Sequence, residues 1–222
     1  MSGNAKSPIP LHRLENFSDA VYAFAVTLLV VSLEVPKAAH ELIHMMRGSL
    51  AFGLCFALLA SVWAEHSRFF RYYPLSDTRT VVLNMALLFT VLSYIYPMKF
   101  LFSWLIDFYV FRLPTEAFHS EAEAFQIMLI FSLGIFAVNA VFYLMHRHAA
   151  SKQAELKLSM RQAADLRRAT LANLFVCAIA LLSMGLTLGL NDPGRISGPV
   201  YMLIAPAHFL AARIAFRGVP AE

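Results

Sequence analysis

The sequence predicts an all-α membrane protein of six transmembrane helices with N- and C-termini cytoplasmic, and three observations lead there. Hydrophobic residues make up 59% of the 222 residues and charged residues 14%, with a mean hydropathy of +0.62. A soluble domain of this size needs more charge to cover its surface. The apolar residues also come in long blocks, and about 20 such residues suffice to cross the hydrocarbon core. Finally, the Lys and Arg residues between the blocks alternate from one side to the other in step with six crossings.

The spans are expected at about 16–36, 44–70, 79–106, 119–146, 168–190 and 196–216, within a single domain covering 1–222. The polar start, Met1 to Asn16, lacks the pattern of a cleaved signal peptide, so the first helix is expected to be retained. Pro36 ends the first span, because proline disrupts a continuing helix. The Tyr73-Pro74 turn separates the second and third. Arg112-Leu113-Pro114 separates the third and fourth, and Asn191-Asp192-Pro193-Gly194 the fifth and sixth. The third and fourth spans are longer than a bilayer requires, which implies tilt or projection into water.

One side of the membrane receives Lys6, Arg13, Arg68, Arg71, Arg79, Arg147, Lys152, Lys157, Arg161, Arg167, Arg168, Arg213 and Arg217. The other receives Lys37, Arg47, Lys99, Arg112 and Arg195 together with most of the loop acids. Positive charge marks the inside, so a multi-pass protein of the cell (inner or plasma) membrane is expected. This distribution also explains the net charge of +4 without a nucleic-acid partner. The basic stretch 147–169 lacks Gly and Pro and reads as helix, either extending its neighbours or lying at the headgroups. Its charges lie outside the apolar core, which argues against a voltage sensor. Cys55 and Cys177 fall inside spans and read as buried small apolar residues. Gly185 and Gly189 form a Gly-x-x-x-Gly expected to pack closely on another helix. Asn139 and Tyr143 are expected to bond between helices.

Several chemical signatures are missing. There is no Thr-Val-Gly-Tyr-Gly filter, phosphate-binding Gly loop, His-Glu-x-x-His or Cys-x-x-Cys, and the eight histidines are scattered. These absences argue against an enzyme, a resident metal or cofactor, and the usual potassium-channel architecture. The informative stretch is Arg13-Leu14-Glu15-Asn16-Phe17-Ser18-Asp19, which runs directly into the first apolar block. Read alone, Asn16, Ser18 and Asp19 cap the helix start. Against that, Asp19 lies a full turn inside the helix if the helix begins near Leu14, and an acid at such depth needs a partner.

Arg-x-x-x-Phe-Ser-Asp opening a first helix resembles the signature of the transmembrane protein 175 family, which includes the lysosomal potassium channel and single-repeat prokaryotic channels. Trp63-Ala64-Glu65-His66 is similar to that family's Trp-x-x-His, and Asn84 and Pro97 to its third-helix Asn and Pro. The specific matches cover about the first hundred residues. The resemblance implies a motif network of Arg13, Phe17, Ser18, Asp19, Trp63, His66 and Asn84, in which intramembrane polar groups satisfy one another.

Phe24, Thr27, Leu28 and Val31 share one helical face. The residues alone leave lipid contact or helix packing open. The resemblance implies that this face lines a pore, narrowest at Phe24, with Thr27 near the ion path. Phe24 departs from the family's Ile or Leu at that position. A phenyl ring there closes the pathway by dewetting or offers cation–π contacts. What the resemblance implies overall is a potassium-preferring channel of four identical chains, with potassium ions only transient in the pore and no cofactor. The alternative is a proton-coupled secondary transporter using Asp19 and His66 as a relay.

Overall fold

A computed structural model describes residues 9–31, 38–112, 118, 120–190 and 195–218, with the side chains of 40–44 and 47 left aside. Among these residues the chain is all helical. The elements are α1 (Leu11–Val31), α2 (Ala39–Tyr72), α3 (Thr78–Leu105), α4 (Glu121–Ser151), the short α5 (Gln153–Leu156), α6 (Met160–Leu190) and α7 (Ile204–Ala215). A π turn, Ile106–Val110, prolongs α3, and a 3₁₀ turn, Pro199–Leu203, leads into α7. Helices α1, α2, α3, α4 and α6 contain apolar stretches long enough to cross a membrane. The sixth apolar helix, Pro199–Ala215, is shorter.

Local chemistry explains several boundaries. Asp77 starts α3 by accepting the Thr80 backbone N–H at 2.8 Å and the Thr80 hydroxyl at 2.9 Å, an N-cap that satisfies an otherwise unbonded donor. Ser120 starts α4 by accepting the Glu123 N–H at 3.3 Å. Lys157 adopts the left-handed conformation at φ 50° and ends α5. The basic stretch 147–169 thus extends both flanking helices, with a break at 157–159. The fifth apolar block begins near residue 168, but its helix starts at Met160. Ala, Leu and Arg favour helix whether or not they sit in lipid, and hydropathy does not register that part. Pro36, Pro114 and the Asn191–Gly194 turn lie outside the described residues.

Helix α3 packs against α1, α2 and α4, and α6 packs against α4 and α7. The largest core joins Leu14, Ala25 and Leu29 of α1 to Phe69 and Phe70 of α2 and Leu87 of α3, reaching Met145 of α4 and Leu166 of α6. Both cysteines are buried free thiols. Gly134 is a true contact glycine: a Cβ there would fall within the Tyr94 ring, whose hydroxyl donates to the Ile130 carbonyl at 2.8 Å.

Two packing expectations are corrected. Among the described residues nothing lies within 4 Å of where a Cβ would stand on Gly185 or Gly189, so this Gly-x-x-x-Gly packs against none of them. The buried stripe of α6 carries Ser183 and Thr187 instead, and Ser183 meets Ser132 of α4 at 3.2 Å and the Ser197 carbonyl at 3.0 Å. Asn139 bonds back to its own helix at Ile135, and the Tyr143 hydroxyl makes no hydrogen bond with a described residue. A short amide finds its own i−4 carbonyl more readily than a partner across the bundle.

Candidate functional site

Helix α1 is divided lengthwise. Leu14, Ser18, Tyr22, Ala25 and Leu29 form its buried stripe, spaced by three and four residues against α2 and α3. The opposite stripe holds Arg13, Phe17, Ala20, Phe24, Thr27 and Val31, all exposed in the single chain. Phe24 is 56% exposed and Val31 71%. Leu28 does not belong to this open stripe; it is half-buried and packs against the core.

Because α1 begins at Leu11, Ser18 and Asp19 sit about two turns inside it. Neither caps the helix. The Ser18 hydroxyl donates to the Leu14 carbonyl one turn back at 2.8 Å. Its oxygen accepts from the Asn84 amide at 2.9 Å, and the Asn84 Oδ1 lies 2.7 Å from His66 Nε2. An amide oxygen only accepts, so Nε2 carries the proton. The hydrogen bonds then run in one direction, from His66 of α2 through Asn84 of α3 to Ser18 and Leu14 of α1. Ser18, His66 and Asn84 are at most 1% exposed. Phe70 and Tyr22 flank the imidazole with ring centroids at 4.9 and 5.4 Å. His66 Nδ1 and the Tyr22 hydroxyl are buried without a partner.

Asp19 lies on the exposed side and accepts from the Trp63 indole N–H at 2.8 Å. The structure therefore brings Ser18, His66 and Asn84 into one chain of bonds and Asp19 and Trp63 into another. Arg13 and Phe17 join neither: both are exposed, and the Arg13 side chain has no hydrogen bond or ion pair with a described residue. Asp19 and His66 use different partners, so no direct relay links them. The Thr27 hydroxyl donates to the Ala23 carbonyl at 3.0 Å, which leaves its oxygen lone pairs directed away from its own helix. Among the described residues no group of three or more His, Cys, Asp or Glu could hold a metal ion.

A second polar cluster escaped the sequence reading. Asp77, between α2 and α3, meets His148 Nε2 at 2.7 Å and Lys152 Nζ at 3.3 Å, tying that loop to the end of α4. Burial alone would raise the Asp77 pKa. The Thr80 N–H and hydroxyl and His148 outweigh it and hold the carboxyl well below its usual range. No local motif announces a contact across 71 residues of sequence. Neither does any motif announce the pairing of Tyr94 with Gly134.

The family model described as endosomal/lysosomal potassium channel TMEM175 matches residues 13–94, which contain the Ser18–Asn84–His66 and Asp19–Trp63 bonds. A protein of Marivirga tractuosa called "Potassium channel" is 36% identical over 215 residues, covering 91% of this chain and 86% of its own length. The chain belongs to the TMEM175 family. A second relative, the potassium channel Cha6605_3372 of Chamaesiphon minutus, is 30% identical over 148 residues, covering 63% of this chain and 66% of its own. The crystal structure of a threonine-to-alanine variant of the potassium channel MtTMEM175, bound to a nanobody–MBP fusion, superposes with a TM-score of 0.82. It is 35% identical and covers 92% of this chain and 93% of that one. A lysosomal potassium-selective channel TMEM175 homologue from Chamaesiphon minutus shares the fold at a TM-score of 0.57 and 23% identity, covering 95% and 98%. With five helices able to span a bilayer, this TMEM175 member is a multi-pass cell-membrane protein.

Proposed function

We propose that this chain is a subunit of a potassium-preferring cation channel, in which α1 from each of four identical subunits surrounds the ion path. One observation supports this most directly. The stripe holding Phe24, Thr27 and Val31 stands exposed among the described residues, while the opposite stripe is fixed by buried packing and by the Ser18–Asn84–His66 bonds. Fourfold repetition gives such a stripe a symmetric place around an axis. The four Phe24 side chains would form its narrowest ring, with Thr27 and Val31 following along α1 and Leu28 beside them at the junction with the core. An apolar constriction strips few waters and supplies few replacement ligands, so discrimination between potassium and sodium would be modest. Both termini lie on the cytoplasmic side in this reading, because the arginine-rich helix ends gather there. The single domain would then cross the bilayer six times, with the helix ending at Ala215 as the last crossing.

Membership of a family whose named relatives are potassium channels supports this reading over the transporter alternative. So does the separation of Asp19 from His66 into different bonds. Nothing in the proposed conduction path calls for catalysis, which makes an enzyme the poorer reading.

Potassium-driven flux into proteoliposomes, compared between the wild type and Phe24→Ala, tests the proposal. Flux whose rate or potassium-over-sodium preference changes with the substitution places α1 in the path. Flux identical in both rules out the Phe24 ring, and no flux from intact oligomers rules out the channel. Native mass spectrometry tests the stoichiometry, where a dimer mass would refute the tetramer.

A further inference from the structure

The chain packs as two units that share α3. Helix α2 rests on α1 and α3, while α6 rests on α4 and α7. Between α2 and the α4–α6–α7 unit lies a cavity of about 540 Å³, within the roughly 300–1,000 Å³ typical of small-ligand sites. Its walls are mainly aliphatic, with Leu59 and Val62 from α2, Ile95 from α3, Val138 from α4 and Val176 from α6.

The lining acid and arginines are not spread along it. Glu65 and Arg68 stand in the last two turns of α2, and Arg168 on α6 lines the same cavity. Glu65 is shared between Arg68 Nη1 at 3.3 Å and the buried His146 Nε2 at 3.5 Å. Arg168 Nε lies 3.7 Å from Asp165 Oδ1. Each guanidinium offers five N–H donors, so both keep donors directed elsewhere. Arg68 is 53% exposed along its side chain and Arg168 29%. Each arginine thus has one carboxylate, Glu65 or Asp165, held by a single long contact, and both guanidinium groups bring further N–H donors to this end of the cavity. From Arg68 to Cys55, the deepest α2 residue that lines it, the wall runs about 20 Å at 1.5 Å per residue. That exceeds the roughly 15 Å from headgroup to midplane in a bilayer core about 30 Å thick.

We propose that this cavity seats one acyl chain of an anionic phospholipid, with the lipid phosphate taken by Arg68 and Arg168. The aliphatic walls exclude a hydrated ion, the remaining guanidinium donors suit phosphate oxygens, and a headgroup carrying an ammonium would set another cation beside the two arginines. The tail wedges between the two units, and the headgroup joins α2 to α6 across the gap. The inference is independent of conduction.

Native mass spectrometry of the delipidated oligomer, titrated with phosphatidylglycerol or phosphatidylcholine of identical chains, tests it. Wild type should retain phosphatidylglycerol in preference. Arg68→Gln and Arg168→Gln should each cut that preference about fivefold, as expected for a contact of about 1 kcal/mol per basic residue near anionic lipid. Val138→Phe fills the cavity from a half-buried position and should lower retention of both lipids with the arginines intact. Arg71→Gln, at the same end of α2 but outside the cavity, should leave the preference unchanged. Equal retention of both lipids by wild type, wild-type behaviour of both arginine variants, or an equal loss in Arg71→Gln would overturn the proposal. Because bound lipid is read by mass, loss of ion flux alone would leave it standing.

Discussion

Replacing Asn84 should break the junction of three helices at its centre. Asn84 is fully buried and serves both directions of the bond chain, accepting from His66 and donating to Ser18. Asn84→Leu keeps the branching at Cγ, is somewhat larger, and removes both bonds. Interhelical hydrogen bonds in membranes are worth about 0.6 kcal/mol on average and about 1.7 at most. Two of them account for roughly 1–3 kcal/mol. The larger consequence is at His66, whose Nε2–H is left buried without an acceptor, at a cost of about 1–3 kcal/mol. Moving the proton to Nδ1 gives no relief, since that nitrogen also lacks a partner. Ser18 suffers less, because its own proton already goes to Leu14. The expected loss is therefore about 2–6 kcal/mol, measured as unfolding free energy in mixed micelles. Adding His66→Phe should recover about 1 kcal/mol or more, because it removes the stranded donor and leaves a ring among Tyr22 and Phe70. If Asn84→Leu costs under about 0.5 kcal/mol, or if the second substitution adds its full separate cost, the directional bond chain is wrong.

Other perturbations follow from the same contacts. Gly134→Ala should destabilise by about 1–3 kcal/mol through overpacking against Tyr94. In a double-mutant cycle Tyr94→Leu should restore part of that loss, whereas simple additivity would refute the contact. Asp77→Asn should keep the cap to Thr80, which Asn makes equally well, while weakening the tie to His148 and Lys152. The folded-state pKa of Asp77 is depressed, so its contribution is present above the unfolded value of about 3.9 and fades as pH falls through it. The gap in thermal midpoint between wild type and Asp77→Asn should accordingly narrow between pH 7 and pH 3, and a constant gap would show that the ionised carboxylate does not matter. Thr27→Val removes a hydroxyl oxygen from the open stripe of α1 and should reduce potassium-over-sodium preference in liposome flux without lowering oligomer stability by more than about 0.5 kcal/mol. Unchanged selectivity would remove Thr27 from the ion path.

The class of this protein was legible before any fold was known, because the physics behind it is one-dimensional. Hydrocarbon demands long apolar runs with internally bonded backbone, and the helices at 78–105 and 121–151 follow from that requirement alone. Part of the motif was legible as well. Asp19 signals itself, because an acid within an apolar block is expensive, whereas His66 and Asn84 stood out only through the resemblance of their motifs. Their pairing was a different matter. Only the packing of α1, α2 and α3 decided that Asn84 takes His66 and Ser18, that Trp63 takes Asp19, and that Arg13 takes neither.

The same divide explains the misreadings. Periodicity shows that Phe24, Thr27, Leu28 and Val31 share a side of α1, but one helix cannot say how far a neighbour reaches, and α1's neighbours cover Leu28. Gly185 and Gly189 looked like a packing face because small residues permit close approach. Permission is not contact, and the α4 interface chose the Ser183 stripe. Gly134 stood unremarked in an apolar run until Tyr94, 40 positions earlier in this numbering, was found lying against it. Burial, bond type and span length are properties of a residue and its near neighbours, which sequence carries. Which face meets which is set by the joint packing of all the helices, and that exists only once the chain has folded.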